Sequence, residues 1–118
     1  IILDAYNANP SSMHPALDNL VKMDFPKKGA ILGDMAELGH VSDEEHLILA
    51  ERLKGMNLDF LLLIGEEMAK VSHLIPNAHS FRTAEEALEY LKNNEISGYL
   101  LLLKGSRSAK IETMKEAL

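Results

Sequence analysis

Apolar and polar positions alternate along the chain in blocks rather than residue by residue. Five short apolar runs, at about 1–4, 29–33, 58–64, 78–82 and 98–104, are separated by segments with helical spacing. Strands that alternate with helices predict an open α/β sheet with parallel strands. The runs LDFLLLI and YLLLLK carry no polar alternation, so both of their faces need helices over them and they belong inside the sheet. The run AHSFR is short and half polar, which suits an edge.

The helical segments carry start signals. Ser42 with Glu45, and Thr83 with Glu86, have the spacing of a capping box, in which a hydroxyl and a carboxylate satisfy free amides of the first turn. Asn9 before Pro10 reads as an N-cap followed by proline at the first helical position. Ala84, Ala87, Leu88 and Leu91 form one apolar stripe, and Ile111, Met114 and Leu118 nearly repeat it in a fifth helix. Pro15 lies beyond the first turn of its helix and predicts a distorted or restarted turn between Ser11 and Ala16.

At 118 residues the chain reads as one domain, spanning 1–118, able to bury a core without disulfides or metals. There is no cysteine, which fits a reducing compartment and makes the cytoplasm the expected location. A formal charge of −6 has the wrong sign for a nucleic-acid partner. The longest apolar runs, 61–64 and 100–103, are far too short for a membrane span. The chain opens on Ile1 rather than Met, directly in a strand-like run, as a piece of a longer protein would.

In an open parallel sheet, ligands meet the loops beyond the carboxyl ends of the strands. Those loops are DAYNANP from Asp4, GDMAELGH at 33–40, GEE at 65–67 and KGSRS at 104–108. Asp4 can accept hydrogen bonds from a ribose or an amine, or merely close an Asx-turn. Asn7 and Asn9 suit a turn and a cap as well as a ligand, and Tyr6 can pack or stack on a ring. KGSRS sets a cation, a flexible glycine and a hydroxyl ahead of the last helix. Lys104 there can meet an anionic ligand or pair with Asp4 or Asp34, and Gly105 lets the backbone approach a ligand. No P-loop and no GxGxxG pattern occurs, so nucleotide phosphates would need help from elsewhere. The five histidines lack HExxH spacing, and no metal site is expected. His46, on the first turn of the second helix, is either a surface residue or a ligand contact.

Taken together, DAYNANPSSM, ILGDMAELG with SDEEH after it, LLLIGEE and LLLKGSRSAKIE resemble the C-terminal domain of a Mur ligase, over essentially all 118 residues. The resemblance is to the branch that handles D-alanyl-D-alanine. It implies a three-layer α/β/α Rossmann-like sandwich with strand order 1-5-2-3-4, and an outer antiparallel strand ahead of the first, truncated here. It implies a domain that closes over an absent central domain holding ATP and Mg2+. The reaction would be ATP-dependent amide formation through an acyl phosphate, between UDP-N-acetylmuramoyl-tripeptide and D-Ala-D-Ala, in peptidoglycan precursor synthesis. By the same resemblance Asp4, Tyr6 and Asn7 serve the nucleotide. Asn7, Asn9, Asp34, Met35, Glu37, His46, Lys104, Gly105, Ser106 and Arg107 serve the substrate. The catalytic groups would lie in the missing domains, leaving this fragment inactive alone and the full-length protein a monomer.

Two other classes compete. A phosphoacceptor receiver domain has this size and alternation, an acidic residue after strand one and a lysine after strand five. It needs an aspartate at the end of strand three, where this chain has Ile64 and Gly65. A plain interaction domain predicts no clustering of polar residues at one sheet edge, and such clustering is present.

Overall fold

The computed structural model describes residues 2–6, 8–106 and 109–118, without the side chains of Asp4, Ala5 and Tyr6. Its five strands are β1 (Ile2–Tyr6), β2 (Lys28–Gly33), β3 (Phe60–Ile64), β4 (His79–Phe81) and β5 (Leu100–Gly105). They form one sheet in the order β1-β5-β2-β3-β4, every pairing parallel. The helices are α1 (Pro10–Lys22), α2 (Ser42–Lys54), α3 (Glu66–Val71) and α4 (Ala84–Asn93), and a 3-10 helix spans Ile111–Ala117.

Side chains alternate across a strand, and that alternation divides the core in two. Ala30 and Leu32 of β2, Leu61 and Leu63 of β3, and Leu100 and Leu102 of β5 meet α1, α2 and α3 on one face. Ile31, Leu62, Ile64, Leu101 and Leu103 meet α4 and the last 3-10 helix on the other. All residues of β3 and β5 are buried, so the runs without polar alternation do lie inside, while β4 is a three-residue edge.

The start signals fare differently. Asn9 caps α1 as expected, its Oδ1 accepting the Ser12 amide at 3.0 Å and its own amide donating to Ser12 Oγ at 3.3 Å. Thr83 caps α4 by accepting the Glu86 amide at 3.2 Å. Ser42 does not cap α2. A 3-10 turn, Gly39–Val41, runs directly into the helix, so Ser42 already has helical torsions and its hydroxyl turns elsewhere.

Pro15 does not break α1, which is continuous from Pro10 to Lys22. The proline forfeits one ladder bond on an exposed side, whereas Met13, Leu17 and Leu20 are all fully buried. Burying three such side chains stabilises by roughly 1.5–3 kcal/mol each, against about 3 kcal/mol for an interior proline. The stripe near the C-terminus also departs from expectation. Ile111, Met114 and Ala117 recur every third residue, the period of the 3-10 helix that forms there in place of an α-helix.

That last helix is seated by two glycines. A Cβ on Gly33 would stand 2.4 Å from Ala109 Cβ, and one on Gly105 would stand 2.4 Å from Ile111 Cγ1 and 3.0 Å from Gly33 Cα. Gly105 is therefore required by the chain's own return over the sheet. We expect Gly33→Ala to lower stability by about 1–3 kcal/mol through overpacking. Adding Ala109→Gly should recover part of that loss, as urea unfolding midpoints of the single and double variants will report.

Candidate functional site

The loops after β1, β2 and β5 leave the carboxyl edge side by side, because β5 lies between β1 and β2. Their shared centre is three consecutive residues after β2. Asp34 donates its amide to Ile64 O at 3.1 Å and accepts the Ser106 amide on its carbonyl at 3.2 Å. Met35 donates its amide to His46 Nε2 at 3.0 Å. Ala36 donates its amide to Ala8 O at 3.2 Å. Four parts of the chain are thus tied to one short segment.

The Asp34 carboxylate serves a helix from another part of the chain. Oδ1 accepts the Met68 amide at 2.8 Å and Oδ2 the Glu67 amide at 3.1 Å. These are orphan donors at the start of α3, which has no side-chain cap of its own. A carboxylate at a helix N-terminus is favoured by the helix dipole as well. The residue before that helix must be glycine. Gly65 has φ of +123°, and a Cβ there would lie 2.3 Å from Asp34 Cγ.

His46 is 1% exposed, which overturns its reading as a surface residue. Its Nδ1 lies 2.8 Å from the Ser42 carbonyl. Met35 is likewise in the core at 3% exposed, so its side chain supports the loop from beneath. Glu37, by contrast, is exposed and adopts a left-handed φ of 59°, uncommon for a residue with a side chain.

Lys104 follows the strand alternation with Leu100 and Leu102 onto the α1 face, beside Leu32 in register. It is 3% exposed, and burial holds its ammonium group below the usual lysine pKa. Ser106 is also buried, and its carbonyl accepts the Ala109 amide at 3.1 Å. Asn9 is exposed and spends its side-chain oxygen on α1. Asn7 and Arg107 lie outside the described residues, as do the side chains of Asp4 and Tyr6. The loops that the sequence singled out therefore do come together, but Asp34, Met35, His46 and Gly105 build the edge rather than simply decorate it.

Residues that sequence reasoning passed over complete the picture. Ser42 Oγ donates to Glu67 Oε1 at 2.6 Å, and Lys70 Nζ pairs with Glu67 Oε2 at 2.8 Å. A cavity of about 300 Å3 opens beyond β2 and β3, with Asp34, Glu66, Arg82, Thr83 and Lys110 among its lining. Arg82 pairs with Glu66 across it, and Lys110 with Glu85 at 3.7 Å. The GEE segment was visible as a loop, but nothing in the sequence pairs it with residues 16 to 33 positions away. Ile64 and Gly65 end β3 without an acidic acceptor, which removes the geometry a receiver domain needs.

The Glu67–Lys70 pair carries a pH signature. Lys70 first, and Ser42 second, hold the Glu67 carboxyl below its ordinary value of 4.5. Glu67 in turn, followed by Asp43, raises Lys70 above 10.5. A carboxyl with a lowered folded pKa stabilises above its unfolded value and loses that contribution as pH falls through the folded one. A lysine with a raised pKa stabilises below its unfolded value and loses that as pH rises through the folded one. Lys70→Ala should therefore cost most stability between these limits, and the deficit should shrink below pH 4.5, measured by urea unfolding at neutral and acid pH.

The likeness to known proteins runs along the whole of this architecture. A family model described as "Mur ligase, glutamate ligase domain" matches residues 1–107. The UDP-N-acetylmuramoyl-tripeptide--D-alanyl-D-alanine ligase of Rickettsia prowazekii is 32% identical over 95% of this chain and 26% of its own length. The Escherichia coli enzyme of the same name is 33% identical over 98% of this chain and 26% of its own. A crystal structure of MurF from Acinetobacter baumannii superposes with a TM-score of 0.81 at 32% identity, covering 95% of this chain and 25% of that one. MurF from Thermotoga maritima in complex with ADP gives 0.74 at 28% identity, covering 98% and 27%. The chain spans about a quarter of the length of these relatives. With the five-stranded order, the convergent loops and a family match over residues 1–107 in agreement, this chain belongs to the Mur ligase family, through its glutamate ligase domain.

Proposed function

We propose that this chain is the C-terminal domain of a three-domain, ATP-dependent ligase that joins D-alanyl-D-alanine to UDP-N-acetylmuramoyl-tripeptide. The supporting observation is that relatives with that name align over nearly the whole chain at about one-third identity, with the matching loops gathered at one sheet edge. In the reaction, the γ-phosphoryl group of ATP passes to the tripeptide carboxylate. The dipeptide's amine nitrogen then attacks the acyl carbon, loses a proton, and displaces inorganic phosphate. Positioning and charge neutralisation supply most of the rate in such a step.

This domain's share is to receive the amine substrate and to close on the nucleotide. Lys104, buried at the end of an inner strand, is assigned to the dipeptide carboxylate, which it would attract where water competes little. Ser106 and Arg107 follow it in the same loop. Glu37, in the loop after β2, offers an exposed carboxylate suited to the dipeptide's ammonium before it gives up its proton. Asp4, Tyr6 and Asn7, at the end of β1, are assigned to the ribose side of ATP. Mg2+ would neutralise phosphate charge during the transfer. Among the described residues no three His, Asp or Glu side chains gather into a metal-binding set, and the ion is assigned to the rest of the longer protein. Cytoplasmic placement, with its supply of nucleotide precursors, belongs to the same proposal; among the described residues no helix is long and apolar enough to cross a membrane.

The direct test uses the full-length protein with ATP, the UDP-linked tripeptide and the dipeptide. Phosphate release that needs both peptide substrates, with a product heavier by the dipeptide less water, is expected; release indifferent to the dipeptide would reject the reading. Within that assay the two ends of the site should separate. Asp4→Ala should raise the Michaelis constant for ATP by roughly ten- to a hundred-fold, the worth of a lost charge-assisted hydrogen bond. Lys104→Ala or Ser106→Ala should raise the dipeptide's constant selectively. A lysine with only a structural role would lower the melting temperature without changing the ratio of the two constants.

A further inference from the structure

His46 is a buried titratable side chain to which the reaction assigns no step. Both of its ring nitrogens are engaged with backbone groups whose roles are fixed. Met35 N–H, 3.0 Å from Nε2, can only donate, so Nε2 is bare. The Ser42 carbonyl, 2.8 Å from Nδ1, can only accept, so Nδ1 carries the proton. Geometry alone thus selects the neutral Nδ1–H tautomer, with Ser42 Oγ a further 3.3 Å neighbour of Nδ1.

What this ring holds is the middle of the segment that joins the loops. On one side of Met35, Asp34 binds the Ser106 amide and caps α3; on the other, Ala36 binds Ala8. One residue further on, Glu37 sits in its left-handed conformation, a strained state that persists only where surrounding contacts enforce it. We infer that His46 is a positioning residue for the amine-substrate site: by anchoring the Met35 amide it fixes the loop at 34–39 and sets Glu37, Asp34 and the Ser106 backbone in register. The inference rests on the proposed function only for the identity of the substrate.

A histidine that merely filled core volume would be replaced without functional loss by an apolar residue. Two variants of the full-length protein separate the roles. His46→Leu keeps apolar bulk and removes both hydrogen bonds. His46→Gln keeps an acceptor for Met35 and a donor for Ser42. The leucine variant should raise the Michaelis constant for D-Ala-D-Ala about tenfold, as one lost hydrogen bond can, while that for ATP changes less than about twofold. It should also speed amide hydrogen exchange across residues 34–38, and the glutamine variant should restore most of both. An unchanged dipeptide constant in His46→Leu, or equal impairment of the two variants, overturns the inference. Should the leucine variant fail to fold, nitrogen-15 chemical shifts of the His46 ring in the unmodified protein decide: a bare Nε2 supports the inference, and a protonated Nε2 overturns it. If the protein makes no amide bond at all, the proposed function fails alone, since loop exchange and ring tautomer still report on positioning.

Discussion

The hydrogen bonds of three successive residues, Asp34, Met35 and Ala36, are the constraint on which the carboxyl edge depends. Parallel strands leave their ends as separate loops, each with backbone amides that have no partner in the sheet. Here one segment ties the loops together: it accepts the amides of Ser106, after β5, and of Glu67 and Met68, at the start of α3, and donates its own amides to Ile64 of β3, to Ala8 after β1 and to the His46 ring of α2. A buried amide left without its acceptor costs roughly 1–3 kcal/mol, so these bonds are expensive to break singly and reinforce one another. Such bonds hold several loops in one fixed arrangement, and a site built from separate loops depends on that, because small displacements of positioned groups are costly.

The same edge is closed on its other side by packing. Gly33 and Gly105 lie against each other on neighbouring strands and leave a seat only wide enough for Ala109 and Ile111. Ala109 and Ile111 are thereby fixed against the ends of β2 and β5. Sterics hold this side of the edge, and the hydrogen bond from the Ser106 amide to the Asp34 carbonyl joins it to the loop after β2.

The elements were legible in the sequence because they follow from local chemistry. Unbroken apolar runs marked β3 and β5 as interior, and the half-polar run at 78–82 marked an edge. Asn9 and Thr83 were readable as caps because a cap bonds within three residues of itself. What escaped depends on distance along the chain. Asp34 caps a helix 33 and 34 residues away, and Ser42 reaches 25 residues to Glu67, so neither partner could be inferred from spacing. His46 lies only 11 residues from Met35, but its burial is set by how α2 lies across the sheet. Pro15 misled for a related reason: propensity marked a break, and the buried stripe of α1 outweighed it.

The strand order has a consequence for how the domain is made. β5, the last strand in the chain, lies between β1, the first, and β2, and among the described strands β1 pairs with β5 alone. A chain emerging from the ribosome therefore presents β1 without its neighbour until almost the whole domain has been synthesised. Pairing of such high sequence separation is slow, because loop-closure entropy is spent before the contacts return it. Units formed from β2, β3 and the helices between them can collapse earlier, but the loops after β1 and β5 meet only when the last strand inserts. The edge that carries the candidate chemistry is in this sense the final product of folding, and a partly folded domain would expose the unpaired backbone edges of β1 and β2 rather than a half-made site.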